Sequence, residues 1–148
     1  MESTFKQFYT EQEEYEPQYR FKYFRGVSEE DIDSIRTAGH LLASSDSILD
    51  DYEVLEYAFG PEERDIKRGL RDLKASFGKE LYAIALKKGA NLTKDFYNAK
   101  GYGEFVVAVT IDPPYYVQDL SDDYAIVADA TKAKVGAIYN VRDREWES

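Results

Sequence analysis

The chain has 148 residues, of which 43% are hydrophobic and 15% aromatic, a composition that predicts a folded domain rather than a disordered segment. It contains no cysteine, which excludes a disulfide scaffold, a thiolate nucleophile and any metal site built on thiolates. The formal net charge of −10 argues against general binding to nucleic acid, because neutralising phosphates requires a basic surface.

Residues 1–18 are acidic and are interrupted by Pro17, which predicts a surface arm ahead of a single α+β domain over 19–148. The arm lacks the basic start and the apolar run of a signal peptide. The longest apolar stretch, 105–111, is far too short for a membrane-spanning helix. We therefore expect a cytoplasmic protein that has no membrane partner.

The first elements predicted along the chain are two short strands around one helix. Aromatic residues alternate with basic ones up to Arg25, which is the period-two pattern of a half-buried strand over 20–25. Ser28 is followed by three acidic residues, as at the start of a helix, and Gly39 predicts the end of that helix. Residues 40–44 are predicted to form the second strand.

The middle of the chain has helical periodicity. Apolar residues spaced by three and four positions predict helices over 47–59, 61–77 and 81–88, and a weaker one over 92–100. The pattern after residue 104 predicts strands at 105–111, 124–128 and 135–141. The first of these is apolar on both faces, which predicts a central strand. Helices between two groups of strands indicate an α+β fold with a small mixed sheet.

Several kinds of site can be set aside from the sequence. The single histidine, His40, cannot supply both a catalytic triad and a metal site, and no phosphate-binding glycine loop of the P-loop type occurs. The aspartates at 46, 50 and 51 fall on a predicted helix and indicate a solvated face rather than a cation site. We therefore predict no metal site.

Short motifs occur in a particular order along residues 19–142. Tyr23-Phe-Arg25-Gly26 ends the first predicted strand, and Leu42-Ala-Ser44-Ser45 ends the second. The stretches 103–113, 122–127 and 133–141 follow as later strands. In this order the chain resembles the arginine–serine–glutamate class of ADP-ribosyltransferases. In that family an arginine closes the first strand, a Ser-Thr-Ser-like element closes the second, and an acidic residue precedes a later strand.

The resemblance implies that NAD is the substrate, and it assigns roles to residues of this chain. Arg25 would hold the pyrophosphate through charge-assisted hydrogen bonds, and Gly26 would allow close approach to the nicotinamide amide. Ser44 and Ser45 would orient the nicotinamide ribose and brace the catalytic acid. A tyrosine of the next helix, either Tyr52 or Tyr57, would stack on the nicotinamide.

The acidic residue of the family has no direct counterpart here. Tyr124 occupies its place by ungapped alignment, and Asp122 and Asp123 are the nearest acids. Asp123 is the first candidate, because a carboxylate stabilises the positive charge that develops on the ribose better than a phenol does. Tyr124 is the second candidate and Asp122 the third, and Glu104 could also supply the acid from elsewhere in the chain.

Two functions of different classes follow. The first is transfer of ADP-ribose from NAD to a protein or nucleic-acid acceptor by an enzyme of toxin, effector or phage-encoded type. The second is a non-enzymatic acidic protein that inhibits a basic or nucleic-acid-binding partner, since 46–65 contains eight acids and one base. A transferase requires a pocket that joins Arg25, Ser44 and an acid, whereas an inhibitor requires carboxylates spread over one face without a cleft.

Overall fold

The computed structural model describes residues 16–44 and 52–147, which contain six α-helices and seven β-strands. The helices are α1 (Pro17–Arg20), α2 (Glu29–Ala38), α3 (Tyr52–Phe59), α4 (Glu63–Phe77), α5 (Lys79–Lys88) and α6 (Phe96–Ala99). The strands are β1 (Tyr23–Val27), β2 (Ala90–Thr93), β3 (Phe105–Ile111), β4 (Val117–Asp119), β5 (Tyr124–Val127), β6 (Ala133–Asn140) and β7 (Glu145–Trp146). Within these residues, no helix is long and apolar enough to cross a membrane.

The seven strands form one sheet in the order β4-β5-β2-β1-β3-β6-β7. Each pair of neighbouring strands runs antiparallel. The α+β class predicted from the sequence is confirmed, and so is the helical segment in the middle of the chain. The expectation of a mixed sheet is wrong, because the chain crosses between distant strands without making a parallel pair among the described residues.

β3 is an interior strand of the sheet, as its apolar sequence predicts. It pairs with β1 on one side and with β6 on the other. The side chains of residues 106–109 are all buried, so both faces of the strand are covered. A strand covered on both faces requires a continuous apolar run, which is the pattern that the sequence shows here.

The two faces of the sheet are covered by different helices. α2 packs Ile32 and Ile35 into a core cluster with Val107 and Val127. α4 and α5 contribute Leu73, Phe77 and Ala85 to a second cluster around Ile126. α6 belongs to a third, aromatic cluster, whose members include Phe24, Phe96, Tyr139 and Trp146. Each of the three clusters therefore combines strand residues with the helices α2, α4 and α5, or α6.

The second strand of the sheet lies elsewhere than predicted. Residues 41–44 form no strand, and His40 makes an isolated bridge to Lys134. The strand after β1 is β2, in a stretch where the sequence predicted the beginning of a weak helix. Four residues span about one helical turn, so their apolar positions cannot distinguish a period of 3.6 from a period of two. The short strand β4 was missed for the same reason.

The placement of β5 under α4 and α5 can be tested by shortening Ile126. Its side chain is completely buried, so Ile126→Ala should lower the free energy of unfolding by about 2–5 kcal/mol through lost contacts and an internal cavity. Leu86→Ala is the matched control on α5, where 41% of the side chain is exposed, and a change within about 0.5 kcal/mol is expected. Urea denaturation followed by circular dichroism measures both. Equal effects of the two substitutions would contradict this packing.

Candidate functional site

A cleft of about 360 Å³ opens where β1 and β2 separate. β1 pairs with β3 from Tyr23 to Val27, but its register with β2 is a single pair, Phe24 opposite Thr93. The cleft is lined by residues 24–26 of β1 and 91–93 of β2. The other lining residues are Glu53 and Tyr57 of α3, Tyr102 in the loop after α6, and Tyr124 at the start of β5.

Arg25 crosses the gap between the two strands. Its Nη1 donates a hydrogen bond to the backbone carbonyl of Asn91 at 2.9 Å, and its Nη2 lies 3.5 Å from the hydroxyl oxygen of Ser44. Burial lowers the pKa of Arg25, while the charge of Asp31 acts in the opposite direction. None of the ion pairs formed within 16–44 and 52–147 includes Arg25.

An arginine remains protonated in proteins even when burial lowers its pKa. The guanidinium of Arg25 is therefore a partly desolvated cation whose hydrogen-bond partners, among the described residues, are neutral oxygens. Such a cation is stabilised by an anion that enters the cleft and forms charge-assisted hydrogen bonds. The cleft therefore offers an anion a cationic hydrogen-bond donor.

Two glycines allow the loop after α6 to lie directly on β1. A Cβ atom at Gly26 would be 2.6 Å from the carbonyl oxygen of Ala99 and 2.7 Å from Cβ of Tyr102. A Cβ atom at Gly103 would be 2.5 Å from the carbonyl oxygen of Val27. The sequence interpretation reserved the space over Gly26 for a ligand, whereas in the structure the protein's own loop approaches it. The close contact places Tyr102 in the cleft.

The wall formed by tyrosines is polar but uncharged. The hydroxyl oxygens of Tyr102 and Tyr124 are 3.1 Å apart, and Asn98 Nδ2 lies 3.5 Å from the same Tyr124 oxygen. The hydrogen bond to Tyr124, together with burial, raises the pKa of Tyr102 to about 12, so Tyr102 is protonated at neutral pH. The ring of Tyr57 lies 6.5 Å from the ring of Tyr124, centroid to centroid.

The mouth of the cleft is aromatic. The side chains of Tyr57 and Tyr102 are 73% and 63% exposed, although both line the cleft. Exposed aromatic rings beside a cation can stack on a planar ring of a ligand whose phosphates the cation holds.

The three candidates for the missing acid are not equivalent in position. Tyr124 lines the cleft together with Arg25, whereas Asp122 and Asp123 are exposed and are not lining residues. Ala125 is buried in the core cluster that also contains Val127, so it faces away from the cleft. Strand alternation therefore brings Tyr124 to the site and directs Asp123, the first candidate, elsewhere.

Glu104, the remaining candidate, has a structural role. Its carboxylate accepts a hydrogen bond from the backbone N–H of Glu29 at 3.1 Å, in the first turn of α2. A carboxylate there satisfies an otherwise unpaired backbone donor at the start of the helix. Among the described residues that line the cleft, the acid is Glu53 instead.

The predicted cofactor-binding residues divide into three groups. Arg25, Gly26 and Tyr57 line the cleft. Ser44 lies beside Arg25 but is not among the residues that line the cleft. The backbone N–H of Ser44 donates a hydrogen bond to the carbonyl of Gly89 at 3.1 Å. The structure of Ser45 and the side chain of Tyr52 lie outside the described residues.

The sequence interpretation missed the polar residues of β2. Thr93 lines the cleft and is buried, and its hydroxyl oxygen accepts from the backbone N–H of Asp95 at 3.1 Å. Asn91 also lines the cleft, and its Oδ1 is buried without a hydrogen-bond partner in the described part of the chain. The sequence predicted a helix over 92–100. In the structure Asn91 and Thr93 belong to a strand, and strand alternation places their side chains on the same face. Two glycines around Tyr102 were the one local signal of a close approach.

Comparisons with known proteins add no relative of this chain. No family model, no curated protein and no solved structure matches it. Across 16–44 and 52–147, no group of three or more histidine or acidic side chains is arranged to hold a metal ion. The described groups that line the cleft include the partly buried cation of Arg25, three tyrosine hydroxyls, the amide of Asn91 and the carboxylate of Glu53.

The hydrogen bond between the two tyrosines predicts an unusual titration. At pH about 10.5 a tyrosine with the ordinary pKa of about 10 is mostly ionised, whereas Tyr102 should remain protonated because its pKa is raised to about 12. Tyr124→Phe removes the hydrogen bond and should allow Tyr102 to ionise at that pH. NMR of protein labelled at the tyrosine Cζ carbons measures the charge state of Tyr102. Ionisation of Tyr102 to the same extent in both proteins would contradict the hydrogen bond.

Proposed function

We propose that the cleft binds NAD and that the protein transfers ADP-ribose from NAD to a macromolecular acceptor. The observation that carries the proposal is the convergence of Arg25 and Tyr124 on one cleft, with β2 between them in the sheet. The resemblance to ADP-ribosyltransferases, drawn from the order of short motifs, implies a site of this kind at the ends of these two strands.

The charge of the cleft suits a dinucleotide. NAD carries its negative charge on the pyrophosphate, and the partly desolvated guanidinium of Arg25 is the group that would bind it. The cavity of about 360 Å³ lies within the size range of small-molecule sites and would hold part of the dinucleotide, with the rest extending past the open mouth.

The remaining groups suit the nicotinamide riboside half. The exposed ring of Tyr57 or Tyr102 can stack on a planar nicotinamide or adenine ring. Asn91 and Thr93 on β2 offer polar groups where the resemblance expects the serines of its second strand. The amide of Asn91 would then hydrogen-bond a ribose hydroxyl, the role that the sequence interpretation gave to Ser44 and Ser45.

The cleft favours this function over the non-enzymatic one. An inhibitor that presents carboxylates to a basic partner needs no concave site and no partly desolvated cation, and this chain has both. The net charge of −10 remains compatible with a basic acceptor protein as the partner of a transferase.

The proposal predicts that Arg25 contributes strongly to NAD binding. Arg25→Ala should weaken binding by more than about 1.5 kcal/mol, the scale of a hydrogen bond to a charged group. Arg25→Lys should retain part of the affinity, because it keeps the charge but loses the paired donors. Arg68→Ala, an exposed position on α4 that does not line the cleft, is the control and should bind as the wild type does. Isothermal titration calorimetry with NAD gives the four affinities.

Folding must be checked in the same experiment. Removing Arg25 leaves the Asn91 carbonyl without its donor, and this should cost about 1 kcal/mol of stability. Near-ultraviolet circular dichroism at the titration temperature verifies that each variant is folded. Equal NAD affinity in the wild type and in folded Arg25→Ala would refute the role of Arg25, and absence of binding by the wild type would refute NAD as the ligand.

A further inference from the structure

We infer that Glu53 on α3 is the catalytic carboxylate of this site, in place of the acid that the resemblance expects before β5. The inference rests on the proposed cleavage of NAD. It names a residue on a different element, which reaches the cleft from the helix that also carries Tyr57.

The position of Glu53 favours this role. Glu53 lines the same cleft as Arg25 and Tyr124, and it precedes Tyr57 by one helical turn, so the two side chains share a face of α3. The ring of Tyr57 in turn lies 6.5 Å from that of Tyr124. The charge of Glu53 is close enough to help raise the pKa of Tyr102. These relations place Glu53 in the same cleft as Tyr102 and Tyr124, on the side formed by α3.

The charge of Glu53 also favours this role. Departure of nicotinamide leaves positive charge on the ribose, and an anion held next to the ribose stabilises that transition state. The phenol of Tyr102 is protonated at neutral pH and supplies a hydrogen bond but no negative charge. Asp122 and Asp123 are exposed outside the lining, and Glu104 is bonded to the backbone of α2. Glu53 is thus the acid of the described lining that can perform this role.

In the proposed reaction Glu53 first stabilises positive charge and then acts as the base. The bond between ribose C1′ and the nicotinamide ring nitrogen breaks, and its electron pair leaves with neutral nicotinamide. The carboxylate of Glu53 stabilises the resulting oxocarbenium ion. A nucleophile, either the acceptor or water, then attacks C1′ and transfers a proton to Glu53. With water as the acceptor, the products are ADP-ribose, nicotinamide and one proton.

The other groups of the cleft would bind parts of NAD that Glu53 does not contact. Arg25 would hold the pyrophosphate, and the hydroxyls of Tyr102 and Tyr124 would hydrogen-bond the ribose without adding charge. Because Glu53 is exposed in the free protein, bound NAD would cover it and strengthen its electrostatic effect by excluding water.

The test compares Glu53→Gln with Glu56→Gln on the same helix. Glu56 is also exposed but does not line the cleft, so it is a matched control for charge and helix stability. Nicotinamide release from NAD is measured by chromatography and NAD affinity by calorimetry, for the wild type, both variants, Glu53→Asp and Asp123→Asn.

We expect Glu53→Gln to lower the rate of nicotinamide release by about 100-fold or more, the scale of a missing electrostatic or acid–base group. Its NAD affinity should stay within about threefold of the wild type, because the loss concerns the transition state. Glu53→Asp should recover part of the rate, and Glu56→Gln and Asp123→Asn should release nicotinamide as the wild type does.

The contrary outcomes separate the two proposals. Unchanged release by Glu53→Gln, in protein that binds NAD, overturns the role of Glu53 and leaves the proposed function intact. A loss of affinity as large as the loss of rate makes Glu53 a binding residue and likewise overturns its catalytic role. Absence of NAD binding by the wild type overturns the proposed function, and the inference with it.

Discussion

The guanidinium of Arg25 joins two strands at the point where their backbones separate. β1 and β2 pair at Phe24 and Thr93, and the side chain of Arg25 then reaches the carbonyl of Asn91 that the separation leaves available. A cleft within a sheet would otherwise expose unpaired backbone groups, which is costly wherever water is excluded. One charged side chain thus closes part of the sheet and leaves a partly desolvated cation at the site.

The shape of the cleft depends on contacts that only small residues permit. Gly26 and Gly103 bring the loop after α6 against β1, and this contact fixes Tyr102 next to Tyr124. α3, which precedes β2 and β5 in the chain, adds Glu53 and Tyr57 to the lining. Five segments of the chain, including 91–93 of β2, therefore contribute to one site.

The charged groups of the site and its uncharged hydrogen-bonding groups lie on different elements. Its cation lies at the junction of two strands, its carboxylate on a helix at the mouth, and its phenols on the wall formed by Tyr102 and Tyr124. Tyr102 is protonated at neutral pH, so its hydroxyl can donate and accept hydrogen bonds without adding charge. Such an arrangement is consistent with the proposed reaction of NAD, in which the pyrophosphate is anionic and positive charge moves from the nicotinamide ring to the ribose.

Local patterns in the sequence were sufficient for β3, whose apolar run is long, and for α4, whose stripe of apolar residues is regular. They also indicated Tyr57 on a helix, whereas Arg25, predicted at the end of a strand over 20–25, lies in the middle of β1 (Tyr23–Val27). Only the tertiary structure shows that 90–93 is a strand, because a segment of four residues becomes a strand through its pairing with β1 and β5. It likewise decided between Tyr124 and Asp123. Alternation restricts a strand to two choices of face, and only the neighbouring strand and the helices above it determine which face is buried.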